Sequence, residues 1–311
     1  MATERRAYFN GEYVPESEAR VSIFDSALMF GDMVFEMTRT YNHEPFRLRE
    51  HLERLYAGIK TLEIDCGLTV DEMEAVTLET IDVNMDHFPE GVDMQIMHDV
   101  SRGPLPKYEM AVPGGLKPTV SINCWPLTDD LAGLADSYDT GVHAITVPQQ
   151  SVPSRLIDPK IKNRSRIYYQ IAAMQANKTE PGSYPILVDD DGFLTEGTGA
   201  NFFLVKNSEL FTPEGRNILR GVTRGAVMDV AANQGIPCHE RNLEPYDIVT
   251  ADEAFFTSTS QAIMPVTQFN GLPIGSGKVG AMVRCLLHAF GQMVGVDIVA
   301  QAKQYKQASG L

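Results

Sequence analysis

Apolar and polar residues alternate at the start of the chain and predict a β-hairpin. The runs 8–9 and 12–14 are strand-like and flank Asn10-Gly11. Asn-Gly is the strongest short signal for a two-residue hairpin, because both central positions of a type I′ turn need a positive φ angle. The runs 34–40 and 46–48 predict a second hairpin around residues 42–44. The chain therefore begins with β structure.

The spacing of apolar residues then changes to the helical period. One apolar face is formed by Leu52, Leu55, Tyr56, Ile59 and Leu62. The sequence Thr69-Val-Asp-Glu72 is a capping box, which predicts the start of a second helix. Strand-like runs at 94–100 and 119–124 complete a small domain. Residues 126–137 are polar and rich in turn formers, and we interpret them as a linker.

Helical and strand-like segments follow one another beyond this linker. The predicted strands are 142–147, 185–188, 201–205, 236–241 and 253–258. The predicted helices are 167–177, 223–233 and, as the last element, 279–291. Gly235 follows the second of these helices, where a helix end favours glycine. The predicted fold class is α/β (α+β) with a small N-terminal α/β domain at 1–125, an interdomain linker at 126–137 and a large C-terminal cofactor-binding domain at 138–311.

Composition narrows the class of protein. The chain has 311 residues, 43% of them hydrophobic, and a net charge of −15. The acidic charge argues against a nucleic-acid or anionic-membrane partner. The start of the chain has no apolar core of signal-peptide length, and no apolar run approaches the roughly 18 residues of a membrane span, so we expect a cytoplasmic protein. The four cysteines lie far apart without C-x-x-C spacing, so we expect no metal site.

Two lysines are candidates for an amine that holds an aldehyde cofactor as a Schiff base. Such an amine must be accessible in its neutral form, which burial or a neighbouring cation provides by lowering its pKa. Lys160 and Lys162 are separated by Ile161, so an extended segment directs both to the same side. The residues alone leave both candidates open.

Three further motifs supply a carboxylate and phosphate donors. Glu196 lies between two strand-like segments, before Gly-Thr-Gly. The run 221–224 precedes a helix, so its backbone N–H groups and the helix dipole suit a phosphate. Hydroxyl-bearing residues at 257–260 follow a predicted strand and form a second cluster of donors. An amine, a carboxylate for the ring nitrogen and phosphate donors are what pyridoxal 5′-phosphate requires.

In this order the motifs resemble the fold-type IV pyridoxal-phosphate-dependent aminotransferase family, which includes branched-chain and D-amino acid aminotransferases. The resemblance runs from about Tyr8 to the last predicted helix. It implies that Lys162, which follows an apolar residue shortly before a helix, holds the cofactor. It also implies that Glu196 partners the pyridine nitrogen and that the protein is a homodimer. The other cofactor-binding residues that it implies are Arg54, Val222, Thr223, Ser258 and Thr259.

The residues that the resemblance assigns to the substrate form a mixed pattern. Phe35 is similar to the aromatic residue of branched-chain enzymes, but Met37 stands where those enzymes have glycine. Their Tyr-Ile-Arg is replaced by Ile96-Met97-His98. The run 100–107 resembles the arginine loop of D-amino acid transaminases without their nearby histidine. Residues 165–166 are Ser-Arg instead of the usual Asn-containing pair, which leaves Tyr168 or Arg166 to bond the O3′ of the cofactor.

A guanidinium is the natural bidentate partner of a substrate carboxylate, and Arg39, Arg102 and Arg166 lie in the relevant regions. We therefore predict a transaminase that moves an amino group between an amino acid, with branched-chain or other aliphatic donors favoured, and a 2-oxo acid. A D-amino acid or (R)-amine transaminase is one alternative. A lyase of the aminodeoxychorismate lyase type and an inactive binding protein on the same scaffold are the others.

Overall fold

The structure is a computed structural model that describes residues 4–112 and 115–310. These residues form two compact units. The first contains the described residues up to Leu127 together with Ile161–Ser165, and the second contains Thr128–Lys160 and the described residues from Arg166 onward. The chain thus returns to the first unit for one short segment, which has no counterpart in the predicted domain boundaries.

The first unit is built around one antiparallel sheet. Its strands are β1 (Arg6–Phe9), β2 (Glu12–Pro15), β3 (Met33–Tyr41), β4 (Glu44–Pro45), β5 (Met94–Ser101) and β6 (Thr119–Pro126). They are arranged in the order β2-β1-β6-β5-β3-β4. Its α-helices are α1 (Ser26–Phe30), α2 (Leu48–Thr61) and α3 (Val70–Asp82).

Local signals explain the elements of this unit. Asn10 and Gly11 both have positive φ angles in the β1–β2 hairpin, as predicted. Thr69 and Glu72 form both halves of the predicted capping box at the start of α3. The apolar face of α2 packs into the core through Leu52 and Leu55.

Gly58 allows α2 to lie close to β3. A Cβ atom at this position would be only 2.9 Å from Cγ1 of Val34, so a larger residue would push the helix away from the strand. The segment 161–165 pairs with the same end of β3, where Val34 and Asn163 form an antiparallel bridge. Gly58 therefore helps to set the position of the segment that carries Lys162.

The second unit contains a nine-stranded mixed sheet. Its strands are β7 (Val142–Thr146), β8 (Tyr184–Val188), β9 (Leu194–Gly197), β10 (Asn201–Lys206), β11 (Glu209–Thr212), β12 (Cys238–Glu240), β13 (Glu253–Ser258), β14 (Ala262–Phe269) and β15 (Leu272–Pro273). The order is β12-β11-β10-β13-β14-β7-β8-β9, and β15 pairs with β14.

Seven α-helices accompany this sheet among the described residues. They are α4 (Thr128–Ala132), α5 (Ser137–Thr140), α6 (Ile167–Thr179), α7 (Val222–Asn233), α8 (Pro245–Val249), α9 (Ala281–Val294) and α10 (Ile298–Ser309). Strands β10 and β13 are buried at the centre, and the rings of Phe203 and Phe255 stack across them with centroids 4.9 Å apart. These strands are nearly continuous apolar runs because they lie in the middle of the sheet.

The structure corrects three of the predicted elements. The second strand of the β3–β4 hairpin is Glu44–Pro45 rather than 46–48, because Leu48 already begins α2. The predicted linker 126–137 contains the helix α4. The helix predicted as the last one is followed by α10, which begins where the Asp297 side chain caps the N–H of Ala300.

Neither a single membrane-spanning helix nor a cluster of metal ligands is present among the described residues. No single helix in residues 4–112 and 115–310 has both the length and the apolar composition needed to cross a membrane, although α9 and α10, bent by 84°, satisfy both criteria when taken together. In the same part of the chain, no group of three or more His, Cys, Asp or Glu side chains is arranged to hold a metal ion.

Candidate active site

Strand β3 positions the segment that carries Lys162. The backbone N–H of Phe35 donates a hydrogen bond to the carbonyl of Lys162 at 2.9 Å. The Lys162 Nζ lies 4.8 Å from the centroid of the Phe35 ring. This contact brings the predicted catalytic lysine and the predicted substrate-contacting aromatic residue together within the first unit.

Lys160 has a different environment in the second unit. Its ammonium forms an ion pair with Asp158 at 2.8 Å and donates to the carbonyl of Arg216 at 3.1 Å. Of the two lysines that the sequence left open, Lys162 is the one that contacts Phe35, another predicted site residue.

A buried carboxylate holds Arg54 in the first unit. The Nε and Nη2 atoms of Arg54 donate to the Glu36 carboxylate at 2.8 and 2.6 Å, and His51 contacts the same carboxylate at 3.0 Å. Burial opposes ionisation of Glu36, but Arg54 and His51 outweigh it and keep the pKa of Glu36 well below its ordinary value. Lys162 also lowers this pKa, which places its charge near the same cluster.

Two of the predicted substrate arginines bind other residues of the protein. Arg39 is 1% exposed, lies over the Tyr41 ring and pairs with Asp93 at 3.6 Å. Arg102 binds Asp32 through Nε at 2.7 Å and also donates to two backbone carbonyls in the turn after α2. The third candidate, Arg166, precedes α6 in the second unit.

Glu196 is the central residue of the second unit's candidate site. It lies on β9 and is 4% exposed. It accepts hydrogen bonds from the hydroxyl of Tyr169 at 2.6 Å, from the amide of Asn201 at 3.2 Å and from the backbone N–H of Leu219 at 2.9 Å. These three neutral donors fix the direction of the carboxylate.

Tyr169 is a site residue that the sequence reasoning missed. Burial, and then the neighbouring Glu196 carboxylate, raise the pKa of Tyr169 well above its ordinary value, so the hydroxyl stays protonated and donates. Tyr168 packs against the Tyr169 ring at 4.6 Å, and the Arg166 guanidinium lies 5.2 Å from it. The available signal was helical spacing, because Tyr169 shares the buried side of α6 with Ala172 and Ala176.

Asn201 connects Glu196 to the loop before α7. Its amide nitrogen donates to the Leu219 carbonyl at 2.9 Å as well as to Glu196. Gly221 precedes the first residue of α7, and a Cβ atom there would collide with Oδ1 of Asn201. Glycine is therefore required for this approach, which brings the N-terminus of α7, with Val222 and Thr223, close to the residues that hold Glu196.

The second cluster of donors begins at the end of β13. Thr257 pairs with Asn201 in the β10–β13 ladder. Ser258 and Ser260 line a cavity of about 240 Å³ beside Gly197 and Phe256. Val222 is not among the described residues that line this cavity. Thr259 is half-buried in the turn that follows the strand.

One buried polar atom in this cluster has no partner among the described residues. The Oγ1 of Thr257 is buried without a hydrogen bond. Unsatisfied hydroxyls are costly in a protein interior and call for an explanation such as a bound ligand. Together with the helix N-terminus and the oriented carboxylate, this hydroxyl fits a phosphorylated pyridine, so the residues present are compatible with pyridoxal 5′-phosphate.

Comparisons with known proteins agree with this chemistry. Residues 33–269 match the family described as Amino-transferase class IV. A putative branched-chain-amino-acid aminotransferase of Methanocaldococcus jannaschii is 36% identical over 288 residues, which cover 92% of this chain and 95% of that protein. A D-alanine aminotransferase of Bacillus licheniformis is 30% identical and covers 90% of this chain and 93% of its own length.

A solved structure shows the same fold. The branched-chain amino acid aminotransferase of Escherichia coli superposes with a TM-score of 0.83 at 26% identity, over 94% of this chain and 95% of that one. The predicted two-domain fold-type IV architecture is thereby confirmed at the level of the fold.

Proposed function

Because the chain belongs to the class IV aminotransferase family and is an enzyme of that class, we propose that it uses pyridoxal 5′-phosphate to move an amino group between an aliphatic amino acid and a 2-oxo acid. When bound, this cofactor withdraws electrons from the substrate Cα and so weakens the bonds to that atom. The observation that carries the proposal is Glu196, a buried carboxylate oriented by three neutral donors.

Residues of the first unit supply the amine and one cation. Lys162 would hold the cofactor through its aldehyde carbon, and its amine would move the proton between the substrate Cα and the C4′ of the cofactor. Arg54 binds the phosphate, and Glu36 sets the orientation of its guanidinium through two hydrogen bonds. Phe35 provides an apolar surface beside the Lys162 amine.

Residues of the second unit hold the ring and the phosphate. Glu196 would partner the ring nitrogen of the cofactor and keep it protonated. The N-terminus of α7 at Val222 and Thr223 donates backbone N–H groups to the phosphate. Ser258 and Thr259 add hydroxyl donors, and the unpartnered hydroxyl of the neighbouring Thr257 supports a polar ligand at this end of β13.

Two donor classes have support from the relatives. The relative with 36% identity is a putative branched-chain-amino-acid aminotransferase, and for this chain we take that as support for branched-chain donors such as L-leucine. A D-alanine aminotransferase at 30% identity makes D-amino acids the second candidate. The proposal therefore places aliphatic L-amino acids first.

A spectroscopic half-reaction tests the proposal. The protein is loaded with pyridoxal 5′-phosphate and mixed separately with L-leucine, D-alanine and an (R)-arylalkylamine, without an acceptor. We expect the absorbance of the aldehyde form to disappear fastest with L-leucine and to return when a 2-oxo acid is added. A lyase would instead release pyruvate and ammonia from β-chloroalanine, a fourth donor with a leaving group on Cβ, without converting the cofactor to its amine form. No spectral change with any donor would contradict the proposal.

We also propose that the enzyme is a homodimer. Four large apolar side chains within residues 21–30 of the first unit are more than half exposed, which is unusual for a surface that faces only water. They are Val21, Ile23, Leu28 and Phe30. Sedimentation analysis at micromolar concentration tests this proposal, and a monomer that nevertheless turns over at the full rate would contradict it.

A further inference from the structure

Two cationic groups lie against one aromatic ring in the first unit. The guanidinium carbon of Arg164 is 3.7 Å from the centroid of the Phe35 ring, and the Nζ of Lys162 is 4.8 Å from the same centroid. An α-amino acid carries its amino group and its carboxylate on one carbon atom. Arg164 and Lys162 contact the same ring. A substrate whose amino group lies at the lysine would therefore have its carboxylate close to the guanidinium of Arg164.

The guanidinium of Arg164 is held in place but retains donors. Its Nη2 donates to Asp99 at 3.2 Å and contacts the sulfur of Met97 at 2.7 Å. No hydrogen-bond partner of its Nε or Nη1 exists among residues 4–112 and 115–310, and 39% of the side chain is exposed. An arginine has five N–H donors in a planar fork, so those that remain are sufficient for a carboxylate.

A small, largely apolar cavity opens at this guanidinium. Its volume is about 250 Å³, and its walls combine the apolar Val21, Ala27 and Met33 with Asp99 and Arg164. Sites for drug-sized ligands begin at about 300 Å³. A cavity just below that size, with apolar walls and a guanidinium whose Nη2 alone is bound to Asp99, suits a small aliphatic acid.

The other arginines of this unit that the sequence suggested are less available. The Nε of Arg39 donates to the carbonyl of Thr40, and the side chain is almost fully buried. Three nitrogens of Arg102 are used by Asp32 and by the carbonyls of Leu62 and Glu63. Arg164 alone of these three contacts the ring that Lys162 also contacts.

We propose that Arg164 binds the carboxylate of the amino donor and of the 2-oxo acid, an inference that rests on the transaminase function proposed above. Phe35 and Asp99 position the guanidinium, and the Ser121 side chain lines the same cavity. Arg164 is thus a specificity-determining residue that selects amino acids over amines without a carboxylate.

The first test is a binding measurement that does not depend on turnover. Titration calorimetry measures the Kd of 4-methylvalerate, an unreactive aliphatic carboxylate, for the cofactor-loaded wild type and variants. Loss of a charge-assisted bond corresponds to at least a tenfold weaker Kd in Arg164→Ala, since about 1.4 kcal/mol is tenfold. The Kd of Arg164→Lys should lie between those of the wild type and Arg164→Ala. Arg49→Ala is the matched control, because Arg49 is a similarly exposed arginine of the same unit with carboxylate partners.

The second test compares two amino donors. For Arg164→Ala we expect a raised KM for L-leucine and an unchanged KM for a carboxylate-free amine. Wild-type binding of 4-methylvalerate by Arg164→Ala, or a loss that appears in Arg102→Ala instead, would overturn the inference while leaving the transaminase function intact. A wild type that neither loads cofactor nor exchanges amino groups would instead refute the proposed function. If Arg164→Ala does not fold, Arg164→Lys and Arg164→Gln decide by the same Kd comparison.

Discussion

The two units each bury one carboxylate beside predicted cofactor-binding residues, but they surround it differently. Glu36 in the first unit accepts hydrogen bonds from the Arg54 guanidinium and contacts His51. Glu196 in the second unit accepts from a phenol, an amide and a backbone N–H. The two carboxylates are almost equally buried, at 0% and 4% exposure.

This difference indicates that one carboxylate fixes the position of a cation, whereas the other supplies negative charge to a ligand. A carboxylate paired with a guanidinium is neutralised in the resting protein, and its main effect is to fix that guanidinium. A carboxylate oriented by neutral donors keeps its direction without losing its charge to them. We therefore infer that Glu36 positions Arg54, whereas Glu196 acts on the cofactor ring itself.

The largest effect on turnover is expected from Glu196→Gln. The amide keeps the shape of the side chain but removes the charge that holds the ring nitrogen protonated. We expect kcat to fall by about 10²- to 10³-fold, or roughly 3 to 4 kcal/mol, with little change in cofactor affinity. Single-turnover kinetics measures it, with the exposed Glu209→Gln as the matched control. A change in kcat within about twofold, below roughly 0.5 kcal/mol, would remove Glu196 from this role.

Glu36→Gln should act on stability instead. Removing the charge leaves Arg54 and His51 beside a neutral amide in a buried site, and breaking a buried ion pair costs about 3 to 5 kcal/mol. Urea unfolding measures the free energy of unfolding, and the loss should be much greater for Glu36→Gln than for Glu196→Gln. Equal losses in the two variants would erase the distinction between the carboxylates.

The stability of the first unit should also depend on pH, through a buried histidine. Burial lowers the pKa of His98 from 6.5 to about 4. The unfolded chain therefore binds a proton in this range that the folded chain does not, so stability is lost as the pH falls from 6.5 towards 4. The loss from this group is about 3 kcal/mol. Unfolding curves of wild type and His98→Gln across this range should converge at low pH, and parallel curves would contradict the assignment.

The smallest effect is expected from Tyr169→Phe. The variant removes one of three donors to Glu196 and leaves the carboxylate charge intact. We expect a decrease in kcat of about tenfold, which corresponds to roughly 1.5 kcal/mol for a hydrogen bond to a charged group. The exposed Tyr246→Phe is the control. A decrease as large as that of Glu196→Gln would mean that the tyrosine does more than orient the carboxylate.

Strong local signals made part of the fold predictable from the sequence. Asn10-Gly11 and the Thr69–Glu72 capping box depend only on neighbouring residues, and both have the predicted geometry. The strand Glu253–Ser258 has the predicted bounds because it is a short apolar run in the middle of a sheet. The missed helix α10 follows a short break after α9, and its start depends on a single Asp cap.

The site was less predictable because its contacts are long-range. The Thr257–Asn201 pairing is a matter of strand register, which no local pattern encodes. The position of Arg164 beside Phe35 likewise depends on the return of residues 161–165 to the first unit. The order of the motifs predicted the types of residue that the chemistry needs. It did not predict that Tyr169 donates to Glu196 or that Arg164 contacts Phe35.

The identity of the cofactor lysine is the most direct test of the whole account. The protein is loaded with pyridoxal 5′-phosphate, reduced with borohydride and digested, and tandem mass spectrometry locates the phosphopyridoxyl group. We predict that the group is attached to Lys162, that Lys162→Ala carries none, and that Lys160→Ala, which removes only the amine paired with Asp158, is labelled like the wild type. A label on Lys160, or a labelled Lys162→Ala protein, would contradict the account.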